Sequence, residues 1–147
     1  MICGSWPVSL RPATLEDAGV LSIIHRLAAF LPPLHSVEEN LRFVREQLMA
    51  ENHVWVAETG GEVVGYVAFN DGWLSHLFVH PKHQGRGLGA ALLAHVMADR
   101  RERQLWTFQR NARARAFYEQ HGWVLAELTD GQGNEQKEPE VRYFWRP

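Results

Sequence analysis

Apolar positions along this chain change their period several times, and each change marks an element. Val8-Ser9-Leu10-Arg11 alternates as a short strand that Pro12 ends. Thr14-Leu15-Glu16-Asp17 then offers an N-cap hydroxyl with acids in the first turn. Val20, Ile23, Ile24, Leu27 and Ala28 recur at helical spacing, which predicts a helix to about Phe30. Leu31-Pro32-Pro33-Leu34 breaks it. Ser36-Val37-Glu38-Glu39 is a capping box, and Leu41, Phe43, Val44 and Leu48 supply the buried face of a second helix to about Ala50. The period then shortens. His53 to Glu58 and Val63 to Asn70 read as a hairpin around Thr59-Gly60-Gly61-Glu62, and Trp73 to Val79 as a third strand of the run after Asp71-Gly72. From Gly87, Leu88, Leu92, Leu93, Val96 and Met97 mark an amphipathic helix to about Arg103. Leu105 to Gln109 is a strand, and Asn111 to His121 a helix closed by Gly122. Trp123 to Leu128 and Val141 to Trp145 are strands joined by a polar loop, Thr129 to Glu140. The order βααβββαβαββ implies an α/β (α+β) fold with a mixed, mainly antiparallel central sheet flanked by helices.

Composition adds bounds. The 147 residues, 46% hydrophobic and 22% charged, are read as one globular domain over residues 1–147. No run approaches the roughly 18 apolar residues of a membrane-spanning helix, so no membrane partner is expected. Met1 to Pro7 has no basic residue and no long apolar core, unlike a signal peptide. The sole cysteine, Cys3, has no internal disulfide partner, which fits a reducing compartment and a cytoplasmic location.

Charge changes the picture only when divided along the chain. The net charge of −2 splits into −5 over residues 1–72, +6 over 73–118 and −3 over 119–147. The middle segment carries 8 basic and 2 acidic residues, a balance that suits an anionic ligand or a solvated helix surface.

That segment holds the sharpest motif, His80-Pro81-Lys82-His83-Gln84-Gly85-Arg86-Gly87-Leu88-Gly89, between a strand and a helix. Glycines at alternate positions admit close approach of backbone N–H groups to a ligand. The helix that follows adds unpaired N–H groups and a positive dipole end, which suit phosphate, with Lys82, His83 and Arg86 at the rim. Gly85-x-Gly87-x-x-Ala90 also fits a dinucleotide fingerprint. It starts too far from its strand, however, and Leu105 to Gln109 lacks the acid that should bind ribose. No Gly-Lys-Ser/Thr follows, so a P-loop is excluded.

Gln84-x-x-Gly87-x-Gly89, after Leu77-Phe78-Val79 and His80-Pro81, resembles the acetyl-coenzyme A motif of the GCN5-related N-acetyltransferase (GNAT) family. Asn111-Ala112-Arg113-Ala114-Arg115-Ala116-Phe117-Tyr118-Glu119-Gln120-His121-Gly122-Trp123 is similar to that family's second motif, with Trp123 where the family has Phe. The resemblance extends in element order from Leu10 to Trp145. It implies acetyl transfer from acetyl-coenzyme A to a primary amine, by direct attack in a ternary complex. Gln84, Gly85, Arg86, Gly87, Leu88 and Gly89 would hold the diphosphate through their backbone. Leu77 and Val79 would pair with pantetheine, an amide near Phe78 would polarise the carbonyl, and Asn111 would reach the thiol end or simply cap its helix. Tyr118 takes the place of the general acid. Its phenol, with an ordinary pKa of about 10, is matched to a thiol.

The general base is not given by the resemblance. Strand alternation puts Val79, Leu77, Ser75 and Trp73 on one face and His76 on the other. His76 is the ionisable candidate, with a histidine satisfied beneath a helix as the alternative, and Ser75 is a candidate water relay. His76, His80 and His83 have a metal-like spacing but no cysteine or acid beside them, so no metal is expected. The tryptophans, from Trp6 to Trp145, are read as core, with Trp73 or Trp106 able to line an acceptor pocket. Coenzyme A's 3′-phosphate is the simpler anion for Arg113 or Arg115, and no nucleic-acid partner is expected. The expected acceptor is a small-molecule amine. A protein N-terminus or lysine is the alternative, and a non-catalytic coenzyme A sensor is the alternative of another class. Homodimerisation is a family expectation.

Overall fold

The computed structural model describes residues 8–147, so the expectations for Cys3, Trp6 and the segment Met1 to Pro7 lie outside it. Strand β1 is Val8–Pro12, and Pro12 closes the strand as its last residue. Thr14 and Asp17 form a reciprocal capping box, but around a 3-10 turn, Leu15–Asp17, before helix α1, Ala18–Ala28. The helix stops short of Phe30 because Ala29 turns extended ahead of the prolines. Its buried face is Ala18, Leu21, Ser22 and Ile24, whereas Ile23 and Leu27 lie exposed, against the predicted stripe. Ser36 and Glu39 cap α2, Val37–Phe43, which runs on through a π-helical stretch, Val44–Leu48, into α3, Met49–Glu51.

Strands β2, His53–Thr59, β3, Glu62–Phe69, and β4, Leu74–Val79, fall within a residue or so of expectation. Helix α4 is Leu88–Met97, shorter than predicted. Arg103 belongs to β5, Arg103–Phe108, and its buried guanidinium explains the early stop. It donates to the Val96 carbonyl at 3.1 Å, to the Asn70 carbonyl at 2.8 Å and to both oxygens of Asp99. The Val96 carbonyl thus finds a side-chain donor at the helix end. Helix α5 is Ala112–Gln120, β6 is Val124–Leu128 and β7 is Glu140–Trp145.

The strands form two sheets, β1-β2-β3-β4 and β5-β7-β6, with every named pair antiparallel. The sheets touch through one parallel bridge, Trp73 to Gln104, at the start of β4 and β5. Beyond it the two strands part. Strand β3 is buried on both faces, as its continuous apolar run requires. Val67 and Phe69 face α4 with Leu88, Leu92, Leu93 and Val96, while Tyr66 and Ala68 face α1 and the second helix with Leu21, Ile24, Val44 and Leu48. Each fully buried Leu or Val there contributes about 1.5–3 kcal/mol of transfer free energy.

Candidate active site

The parting of β4 from β5 opens a cleft of about 1090 Å³, and most of the residues singled out in the sequence line it. In the β3–β4 ladder Phe78 pairs with Tyr66 and Leu77 with Val67, and the His80 N–H donates to the Val64 carbonyl at 2.8 Å. Antiparallel hydrogen bonding alternates, so Phe78 and His76 turn their backbone groups toward β3. Leu77 and Val79 turn theirs into the cleft. The amide expected near Phe78 is therefore that of a neighbour, since Phe78's own N–H is committed to Tyr66. The Val79 carbonyl accepts from Gln84 Nε2 at 3.0 Å, which ties the strand end to the turn.

The turn uses its glycines unequally. Gly85 and Gly87 have φ of +81° and +80°, with open space where a Cβ would stand, so the backbone conformation itself calls for glycine. Gly87 is the N-cap of α4. Gly89 has ordinary φ, and a Cβ there would meet the Phe117 ring at 3.6 Å, so it serves the packing of α4 on α5. Leu88 sends its side chain into the core and offers only backbone to the cleft. Lys82 and Arg86 lie exposed on the turn, and Arg113 reaches from α5 to donate to Gln84 Oε1 at 3.0 Å.

On the opposite wall Asn111 caps α5, its Oδ1 accepting from the Ala114 N–H at 3.1 Å, while the residue also lines the cleft. Tyr118 is almost fully buried among Phe117, Trp123 and Tyr143, and burial raises its pKa well above the ordinary phenol value. Arg115, offered in the sequence as a phosphate ligand, is instead turned inward, donating to Tyr143 Oη at 3.1 Å and the Gln109 carbonyl at 3.2 Å. That leaves Arg113.

Strand parity sets His76 on the face away from Val79, as expected. It packs beneath α1, stacked on His25 at 4.9 Å, and its Nδ1 shares a hydrogen bond with Tyr66 Oη at 2.9 Å. Burial pushes its pKa down to about 3, which leaves a weak base. Parity fails at Ser75. Ala68 pairs with His76 and Phe69 with Leu74, so Ser75 is the extra residue of a bulge, and Leu74 joins Leu77 and Val79 in the α4 core. The Ser75 hydroxyl donates to Asn52 Oδ1 at 3.1 Å. Among the described residues no group of histidines, cysteines and acids is arranged to hold a metal, and His80 accepts from the Lys82 N–H within the turn.

The far end of the cleft is lined by residues that no sequence motif singled out, from the first two helices and the loop before β7. His25 joins Asn40 at 3.2 Å, and Asn40 reaches Ser22 Oγ at 2.8 Å, a buried polar chain with no local motif. Phe30, His35, Phe108, Glu135 and Glu140 also line the cleft. His35 Nε2 meets Glu135 Oε1 at 2.8 Å, linking the loop after α1 to the loop before β7, and this pairing raises the His35 pKa. Trp106 lines the cleft as expected. Trp73 is not among its walls.

Residues 50–125, just over half of the chain, match the family model described as an acetyltransferase (GNAT) domain. The chain is 33% identical over 85 residues to the peptidyl-lysine N-acetyltransferase YiaC of Escherichia coli, covering 57% of this chain and 58% of that protein. It is 28% identical over 111 residues to the L-amino acid N-acyltransferase MnaT of Escherichia coli, covering 65% and 64%. The matches thus span less than two thirds of these relatives' lengths. The Salmonella typhimurium protein yncA, solved with its cofactor acetyl-CoA, superposes with a TM-score of 0.74 at 19% identity, over 95% of this chain and 94% of that one. At that identity the likeness is one of fold.

Proposed function

This chain belongs to the GNAT acetyltransferase family, and from that membership we propose that it is an N-acetyltransferase that passes an acetyl group from acetyl-coenzyme A to the primary amine of a small molecule. The observation that carries this reading is the free edge of β4 beside the Gly85–Gly87 turn, with Tyr118 on the facing wall. The parts fit the cosubstrate. The cleft-facing backbone groups of Leu77 and the Val79 N–H would bind pantetheine as a further strand would, while the Val79 carbonyl is held by Gln84. The N-terminus of α4 and the cations Lys82, Arg86 and Arg113 would hold its phosphates. Acetyl-coenzyme A supplies the thioester, whose carbonyl carbon the amine attacks as the C–S bond breaks.

This chain's residues then have three tasks. The cleft-facing N–H of Val79 or Leu77 stabilises the negative charge that develops on the carbonyl oxygen. Tyr118, kept protonated by burial, gives its proton to the departing thiolate. The attacking amine gives up its proton to a water, and the Tyr118 phenolate regains a proton from solvent, which restores the enzyme. Ser75 is held by Asn52, and His76 is too weak a base to take that proton.

The loop-to-loop contact between His35 and Glu135 supports a small acceptor, since it partly bridges the acceptor mouth. The similarity to YiaC favours a second reading, a lysine side chain on a protein. Release of free thiol from acetyl-coenzyme A tests both. Turnover with small amines and none with a lysine-containing protein supports the first reading. The reverse supports the second, and no release with either contradicts the acetyltransferase assignment.

A further inference from the structure

Resting on the acetyl-transfer reading, we propose that the acceptor is an arylalkylamine, a cationic primary amine on an aromatic body with no carboxylate beside it. Cross-strand partners share a face, so Phe108 and Glu140 stand together on the cleft side of the second sheet, followed along β5 by Trp106. Phe30, from the end of α1, lies 6.1 Å from Phe108, and the Arg110 guanidinium, held by Glu138, covers Phe30 at 5.5 Å. Phe30 and Trp106 are 41% and 40% exposed, a large aromatic surface left to water at the mouth of a cleft.

Glu140 supplies the charge. Its backbone is fixed to the preceding loop, its N–H donating to Thr129 Oγ1 at 3.2 Å and its carbonyl accepting from Gln109 Nε2 at 2.9 Å. Its Oε1 accepts from Asn134 Nδ2 at 2.9 Å, and among the described residues no arginine or lysine forms an ion pair with it. Nearby guanidiniums are committed elsewhere. Arg142 pairs with Glu127, Arg110 with Glu138, and Arg26 donates to the His35 carbonyl at 2.7 Å. One unneutralised carboxylate thus adjoins aromatic walls. That combination selects an ammonium on a ring, through charge-assisted hydrogen bonding and cation–π attraction. A ligand carboxylate would meet Glu140 and Glu135 instead.

Equilibrium dialysis with the coenzyme A-saturated protein tests this without relying on turnover. The expected result is that 2-phenylethylamine binds more tightly than n-butylamine or L-phenylalanine. Glu140→Gln keeps the shape and the Asn134 contact and should weaken binding of 2-phenylethylamine about tenfold. Phe30→Ala, at an exposed position, should weaken it about three- to tenfold. Tighter binding of L-phenylalanine, or equal binding to wild type and both variants, would overturn the proposal. Binding of 2-phenylethylamine without thiol release from acetyl-coenzyme A would uphold this acceptor pocket while overturning the acetyl-transfer reading. Thiol release with other amines and no binding of 2-phenylethylamine would do the opposite.

Discussion

Burial raises the Tyr118 phenol above the thiol range, so the proposed acid stays protonated well beyond neutral pH but is a weaker acid than the match to a thiol in the sequence suggested. Tyr118→Phe removes only the hydroxyl from a packed ring. The expected result is a fall in kcat of about a hundredfold or more with coenzyme A affinity unchanged, read by thiol release and calorimetry. His25 and His76 make a different prediction. Burial lowers both values below the ordinary imidazole value of about 6.5, His76 to about 3. The unfolded chain therefore takes up protons first, and stability should fall as pH drops from about 6.5 toward about 3. Urea midpoints at about pH 7 and about pH 5 should show a smaller loss for His76→Gln than for wild type. An equal loss would place the effect elsewhere. Alternation along the strand made His76 legible in the sequence. It misled at Ser75, because a bulge depends on the partner strand and leaves no local mark. Arg113 and Arg115 look alike in sequence, and only the reach of Arg115 to Tyr143 separates them.

Element types were legible because their causes are local: an N-cap hydroxyl at Thr14, a capping box at Ser36, glycines at turns, and periodic apolar residues. Ends were less so. Helix α4 stops at Met97 because Arg103, several residues on, returns to cap it, and no short window reveals that. The glycine turn gives a paired test of why each glycine is there. Gly87→Ala must hold a side chain at φ +80° and should lose about 1 kcal/mol. Gly89→Ala has ordinary φ and ordinary contact with Phe117, and should be neutral or stabilising by up to about 1 kcal/mol. Urea unfolding checks both, and equal losses would show that crowding rather than backbone conformation dictates the turn.

At the scale of the molecule, the acidic–basic–acidic division overstates the field at the turn. Within the basic middle, Arg101 pairs with Asp71, Arg103 with Asp99 and Arg110 with Glu138, while Arg115 turns inward. Lys82, Arg86 and Arg113 remain beside the glycines. Nor could the sequence give the strand order β5-β7-β6, which depends on pairings between distant segments. The proposed acceptor residues Phe30, Phe108 and Glu140 had no local mark for the same reason, since they are brought together from distant parts of the chain. The parted strands and the glycine turn are together proposed to hold coenzyme A. Calorimetry with coenzyme A on wild type and on Gly87→Glu, with folding checked by circular dichroism, tests it most directly. The expected result is binding of one coenzyme A per chain that weakens as salt rises and is lost in the folded variant. Undiminished binding to Gly87→Glu would contradict it.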